Sequence, residues 1–478
     1  MSFGSYGFLF FFLLVWGVCR NLSNLGAQRW VLLAASLAFY MSWNVPCVLL
    51  LLFTSLLDFN VARQMGQTAD PVARRRWLWV SLAGNLGILG FFKYSNFILD
   101  NVRALAGAAG VALQARHFEI ILPPAISYFT FASMSYVLDV YFERLGPCQS
   151  ARDYTLFVSF FPKLLSGPIV RAVDFLPQLA NGARPGWDEV EAGLSQFLLG
   201  AVKKMVLADQ LAENVNQIFS TPRQFDRFTL VQGLLGYTAQ LYCDFSGYSD
   251  MAIGCGRILG FRFAENFQMP FSSVNIAEFW RRWHITMSTW FRDYLFLPLE
   301  IATRSNPLPL LRMSLNMLAT MLLCGLWHGS SWNYVIWGGI HGAALATHKI
   351  WTTCKPERPW LDGPVARLAG NILSRILTLG VVILALIFFR TETLAGAMAY
   401  FGGLFSLGHE GQRLVSIYIF PVVAIIFLTH LLVNKDRNVA AELRERAIGV
   451  RIAVYTGLLL ALVCLEARSA PAFIYFKY

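Results

Sequence analysis

Residues 314–348 read SLNMLATMLLCGLWHGSSWNYVIWGGIHGAALATH, and this stretch decides how the rest of the chain is understood. From Ser314 to Trp327 it carries Asn316 as its one amide and no charge. It then runs straight into Trp327-His328-Gly329-Ser330-Ser331-Trp332-Asn333, a polar cluster at what hydropathy predicts to be membrane depth. Polar groups are costly there unless they have partners or a function. Gly329, followed by Gly338, Gly339 and Gly342, lets backbone approach a ligand or a neighbouring helix, and Trp327 and Trp332 offer flat apolar surfaces. An imidazole in such a place takes or delivers a proton near neutral pH. The residue types alone leave two readings of His328 open, a hydrogen-bonded packing residue or a chemical group.

Composition agrees with a membrane setting. The 478 residues are 56% hydrophobic and 14% charged, outside the balance of soluble domains, with positive mean hydropathy. Apolar runs from 5–19 to 451–466 predict an all-α polytopic protein with about 10 to 13 membrane helices, some broken, re-entrant or interfacial. The formal charge is +11, but the basic residues sit in short connections: Arg63, Arg74 to Arg76, Lys203-Lys204, and Lys435 through Arg451. Membrane orientation with these segments cytoplasmic accounts for the charge, and no nucleic-acid partner is needed. The opening MSFGSYGFLFFFLLVWGVCR reads as a retained first helix. Eight cysteines without C-x-x-C pairing read as reduced core residues, and no metal site is expected.

Several segments carry more specific expectations. Asp58 and Asp139, near the ends of apolar runs, read as interfacial. Residues 154–179, broken by Pro162, Gly167, Pro168 and Pro177, predict a re-entrant or interfacial element in which Arg171 and Asp174 can pair. In 240–254, QLYCDFSGYSDMAIG, the cluster Asp244, Ser246, Tyr248, Ser249 and Asp250 fits either the wall of a cavity or an ordinary loop between helices. In 277–299, helical spacing places Arg281, His284, Ser288 and Arg292 on one polar stripe, as in an interfacial helix.

The runs FVSFFPKLLSGPIVR (157–171), YSDMAIGCGRILGFRFAENFQMPF (248–271), EFWRRWHITMSTWFRDYLFLPL (278–299) and GLWHGSSWNYVIWGGIHG (325–342) together resemble the membrane-bound O-acyltransferase (MBOAT) family, in its bacterial alginate O-acetyltransferase-like branch. The resemblance is dense over about 157–345 and implies one membrane domain over 1–478, with C-terminal spans and tail from 371. It implies a ring of helices around a central funnel or tunnel lined by two histidines. His328 corresponds to the family's catalytic histidine and His284 to its second one; Trp327, Trp332, Asn333, Asp244, Tyr248, Asp250, Arg281 and Ser288 are the expected lining residues. After FRDYLFLPL the chain reads EIATRSN where a Gly-rich basic turn is expected. Tyr475, in the closing FIYFKY, resembles the relay tyrosine proposed in teichoic-acid D-alanylation.

The expected reaction is O-acetyl transfer at a bacterial inner membrane, from cytoplasmic acetyl-coenzyme A toward a periplasmic acetyltransferase partner that decorates an exopolysaccharide. Acetyl-coenzyme A is substrate, and no permanently bound cofactor is expected. His328 would take the acceptor proton while His284 positions the thioester or returns a proton to the thiolate; the tryptophans would exclude water. The chain shows no Ser-His-Asp order and no P-loop. Two rival classes are a proton-coupled transporter, which calls for inverted repeats, and a non-catalytic subunit of a polysaccharide export complex.

Overall fold

The helix boundaries follow local capping chemistry. Helix α1 (Tyr6–Asn21) starts where the Ser5 hydroxyl accepts the Phe8 amide; α2 (Leu25–Met41) starts at Asn24, whose side chain accepts from Gly26 and Ala27. In α3 (Val45–Gln67) Asn44 caps the Cys47 amide and Pro46 sits in the first turn, where a missing N–H costs nothing. The proline therefore marks a start, and the long apolar run 31–57 becomes two helices. Asp70 caps α4 (Pro71–Leu89) in the same way. A π-helical turn (Gly90–Tyr94) then leads into α5 (Ser95–Ala108), followed by α6 (Ile126–Tyr141).

In the computed structural model the described residues are 1–114, 116–182, 184–305, 307–354, 363–406, 410–433, 443 and 445–465. Tyr475 and most of the basic segment 435–451 lie outside them. The described residues are helical, without a β-strand; one isolated bridge joins Phe225 and Gln412. They group into two compact units, Met1–Phe197 with Tyr248–Ala264, and Leu198–Gly247 with Glu265–Tyr478. Among the described residues four helices are long and apolar enough to cross a membrane: Val45–Gln67, Pro309–His328, Pro364–Arg390 and Ile448–Leu465. Three shorter apolar ones, Tyr6–Asn21, Leu394–Phe405 and Ile419–Leu432, accompany them in a multi-pass membrane protein.

In the first unit α3, α4 and α6 pack together, and Gly84 makes room for Leu57: a Cβ there would stand 2.6 Å from the Leu57 side chain. Two acidic residues are not interfacial. Asp58 is fully buried and accepts from the Ser81 hydroxyl at 2.6 Å and the Asn85 amide at 2.8 and 3.0 Å. Asp139 is 2% exposed, and Arg144 reaches it at 3.5 Å. Donors on α4, unreadable from the position of Asp58 in its own run, are what make burial tolerable. The proline-broken segment forms three short helices, α7 (Ala151–Ser159), α8 (Phe161–Leu164) and α9 (Ala172–Asn181). There the Asp174 amide donates to the Arg171 carbonyl at 3.2 Å. Helix α10 (Trp187–Ala201) follows.

The second unit begins with a π-helical segment (Val202–Ala208) and α11 (Asp209–Ser220). The polar stretch 240–254 is no loop: α12 runs unbroken from Arg227 to Ile258, its residues to Gly247 in the second unit and from Tyr248 in the first. The expected stripe over 277–299 is broken instead. α13 (Ile276–Arg282) stops, His284 takes a left-handed conformation (φ 43°), and α14 (Ile285–Phe291) restarts. After α15 (Leu297–Ala302) come α16 (Pro309–His328) and α17 (Trp332–Cys354), which pack extensively on each other, then α18 (Pro364–Arg390), α19 (Leu394–Phe405), α20 (Ile419–Leu432) and a last helix, Ile448–Leu465.

Candidate active site

The glycines of the opening stretch are the reason α16 and α17 approach so closely. A Cβ on Gly325 would lie 2.1 Å from the Tyr334 carbonyl oxygen, and one on Gly338 would lie 2.2 Å from that of Met321. A Cβ on Gly342 would lie 3.0 Å from Leu318 Cα. No larger residue fits a backbone-on-backbone crossing of this kind. Gly329, extended at the end of α16, is required for a different reason: a Cβ would fall 2.1 Å from the Tyr334 ring. His328 is thus fixed as the last residue of its helix, beside the turn that reverses the chain.

The His328 imidazole is 4% exposed and enclosed by rings. Centroid distances are 4.9 Å to Trp327, 5.0 Å to Trp337 on α17 and 5.1 Å to Phe389 on α18. His341, also buried, lies 4.8 Å from Trp337 and 5.2 Å from Trp280. The two histidines face a cavity of about 20 Å³, shared with Thr238, Leu241, Trp283 and Phe389. That is space for about one water molecule.

His284 is completely buried, and Asn266 explains both its backbone and its protonation. The Asn266 carbonyl accepts the Ile285 amide at 2.9 Å. Its side-chain oxygen accepts the Thr286 amide at 3.2 Å and the Thr286 hydroxyl at 2.9 Å. An oxygen holding a backbone N–H is an acceptor, so His284 Nδ1, 3.2 Å from it, carries the ring proton. Nε2 then presents a lone pair, and it is buried without a hydrogen-bond partner among the described residues. The ring sits 4.6 Å from Phe245 and 6.0 Å from Trp327. Trp327 therefore touches both predicted imidazoles.

A second, larger cavity of about 420 Å³ is lined by neighbours of these rings in sequence, Ile285 and Met287 among them. Arg281 and Ser288 are among its lining residues, together with Arg292, Met287, Cys324 and Trp280. Trp280, which lines this larger cavity, contacts Trp337 (5.8 Å) and His341 (5.2 Å), which line the smaller one.

The remaining expected residues are placed differently. Trp332 is 56% exposed, because the Ser330-Ser331 turn resets the helical register and α17 starts with this side chain outward; Trp337 fills the place expected for it. Asn333 is buried as a tie, donating to the Thr391 carbonyl at 2.8 Å. Asp244 is held by Lys204 at 2.6 Å, and the same ammonium is 2.6 Å from Asp209. Tyr248 stacks on Phe3 at 4.6 Å, and Asp250 accepts from Gln196 at 3.5 Å, both in the first unit. Tyr475 lies outside the described residues. His341, Trp337, Phe389 and Asn266 were not among the expected site residues. His341 and Trp337 stand in the opening stretch at i,i+4 spacing, which is a readable signal; Asn266 offers none.

Comparison with known proteins bears on this geometry. The model of the MBOAT, membrane-bound O-acyltransferase family, matches residues 114–378. The chain is 38% identical over 412 residues to the probable alginate O-acetylase AlgI of Pseudomonas aeruginosa, covering 85% of this chain and 75% of that protein. It is 34% identical over 430 residues to the peptidoglycan O-acetyltransferase of Helicobacter pylori, covering 84% and 77%. A shorter similarity, 30% over 244 residues, links it to the teichoic acid D-alanyltransferase of Bacillus subtilis, covering 49% of this chain and 61% of that protein.

Proposed function

The chain belongs to the membrane-bound O-acyltransferase family and is an acyltransferase, and from that membership we infer that it O-acetylates a bacterial cell-surface polysaccharide from the inner membrane. Relatives named for alginate and for peptidoglycan support the substrate class. The donor in this reading is cytoplasmic acetyl-coenzyme A, and the acetyl group leaves toward a periplasmic partner protein.

The single observation that carries the reading is the cage around His328, an imidazole closed in by Trp327, Trp337 and Phe389 beside a water-sized space. A hydroxyl is a poor nucleophile at neutral pH. His328 takes its proton as the oxygen attacks the thioester carbonyl; the C–O bond forms, the C–S bond breaks, and the proton passes on to the departing sulfur. Assistance of this kind is worth about 10² to 10⁴ in rate. The aromatic enclosure keeps bulk water from the thioester, limiting hydrolysis. His284, with Nδ1 tied to Asn266, holds the turn between the two short helices that carry Arg281 and Ser288, a positioning role toward the donor's pantetheine arm. The cavity bordered by Arg281, Ser288 and Trp280 is the space in which that arm is proposed to lie.

Replacing His328 with Ala is expected to lower acetylation by about 10² to 10⁴, with membrane insertion and melting temperature kept. Acetyl content of the polymer and thioester cleavage by the purified protein are the measurements. Undiminished acetylation in a folded His328→Ala protein overturns the assignment.

A further inference from the structure

The first unit contains a cavity that the histidine chemistry does not use. It has a volume of about 220 Å³ and is lined by Trp16, Arg20, Gln28, Arg29, Gln178 and Arg184 with apolar neighbours, and by no carboxylate among the described residues. Arg29 is structural: it pairs with Asp153 at 2.9 Å and donates to the Leu179 carbonyl at 2.7 Å. Arg20 and Arg184 have no carboxylate partner among the described residues. Arg20 lies 4.1 Å from the centre of the Trp187 ring and reaches the Pro185 carbonyl at 3.5 Å; Arg184 donates to the Leu22 carbonyl at 3.0 Å. Backbone and ring contacts thus hold two full positive charges at the rim of one cavity. Two like charges on one rim favour an anion between them, and the guanidinium fork matches phosphate oxygens.

The position of the cavity limits what reaches it. Connections of three residues each, 22–24, 42–44 and 68–70, join α1 to α4, so successive packed helices alternate in direction. The α1–α2 turn, where the cavity lies, consequently shares a face with the α3–α4 turn and its Arg74, Arg75 and Arg76. By the positive-inside rule that face is cytoplasmic.

We propose that this cavity is a phosphate-binding site open to the cytoplasmic side, in which Arg20 and Arg184 clasp phosphate oxygens and Trp187 offers a flat ring beside them. The phosphates belong either to a nucleotide-bearing acyl donor, in which case the site deepens the acetyltransferase reading and rests on it, or to an anionic lipid headgroup.

The test uses the full chain in phosphatidylcholine nanodiscs, with and without phosphatidylglycerol. Adenosine 3′,5′-bisphosphate is titrated by thermophoresis, and retained phosphatidylglycerol is counted by native mass spectrometry. The double variant Arg20→Gln/Arg184→Gln is expected to bind the nucleotide at least tenfold more weakly; if lipid is the occupant, wild type ignores the nucleotide and the variant loses the retained phosphatidylglycerol. The proposal is overturned if wild type binds neither probe, or if a folded double variant binds both as wild type does. Should the double variant not fold, Arg184→Lys keeps the charge and loses the fork, and equal affinity there counts equally against the site. His328→Ala is expected to bind the probes unchanged. Lost acetylation in His328→Ala beside unaltered binding in the arginine variants therefore sinks the subsite alone, while the reverse pattern sinks the transferase reading alone.

Discussion

Two of the places where the second unit buries polar side chains differ in whether a charged partner answers them. For the carboxylates of Asp244 and Asp209 the charge is answered: Lys204 stands 2.6 Å from each. By contrast, His284 Nε2 and His341 Nδ1 are buried without a hydrogen-bond partner among the described residues, against indole and phenyl faces. A buried polar atom left unanswered costs about 1–3 kcal/mol, and a substrate group that answers it recovers that cost. Polarity at membrane depth is therefore weak evidence of chemistry until partners are counted.

The strongest way to break this comparison is to remove the shared cation. Lys204→Met leaves Asp209 and Asp244 facing each other in a buried site, at an expected cost of about 3–5 kcal/mol in stability. Asp244→Asn keeps a neutral Lys204–Asp209 pair and is expected to cost about 1 kcal/mol. Thermal melting of the purified protein reads both. Acetyl transfer per folded molecule is expected to stay at the wild-type level in Asp244→Asn. A loss of transfer without a loss of stability would return Asp244 to the chemistry and erase the distinction.

A smaller effect separates the two tryptophans flanking the His328 turn. Trp327, 5% exposed and touching both imidazoles, is expected on truncation to Ala to raise wasteful thioester hydrolysis relative to transfer by about tenfold, a change of about 1.4 kcal/mol between the two barriers. Trp332→Ala is expected to leave that ratio unchanged, since its side chain is 56% exposed. Measuring free acetate against acetylated product decides it; equal effects of the two substitutions would show that the enclosure lies elsewhere.

How far the sequence could be read follows from the range of the interactions involved. The close approach at Gly338 and Gly342 was legible, because the demand they meet is local: two helices joined by a short turn and crossing backbone to backbone. The polar stripe through His284 failed because a side chain 18 residues away, Asn266, holds the break in the helix. Asp58 looked interfacial because its partners Ser81 and Asn85 stand 23 and 27 residues further on, on the next helix. Trp332 was misjudged through a register shift inside a two-serine turn. Spacing rules describe one helix at a time, and these errors arise where another segment supplies the partner or a turn resets the phase.

The smallest effect concerns an answered charge outside the membrane-spanning helices. Glu189 accepts from Arg257 at 2.7 Å and from Arg262 at 2.9 Å. The hydrogen bond from Arg257, more than its charge, holds the Glu189 carboxyl below the usual range. A carboxyl with a lowered folded-state pKa stabilises the fold fully above its unfolded value of about 4.3, and that stabilisation is lost as pH falls through the lower folded value. Partial exposure screens the group, so the amount is below about 1 kcal/mol. Glu189→Gln should therefore melt slightly lower than wild type at pH 7, with the two melting temperatures converging below about pH 4. Melting curves that stay parallel from pH 7 to pH 3 would mean that the two arginines hold Glu189 no more firmly than water does.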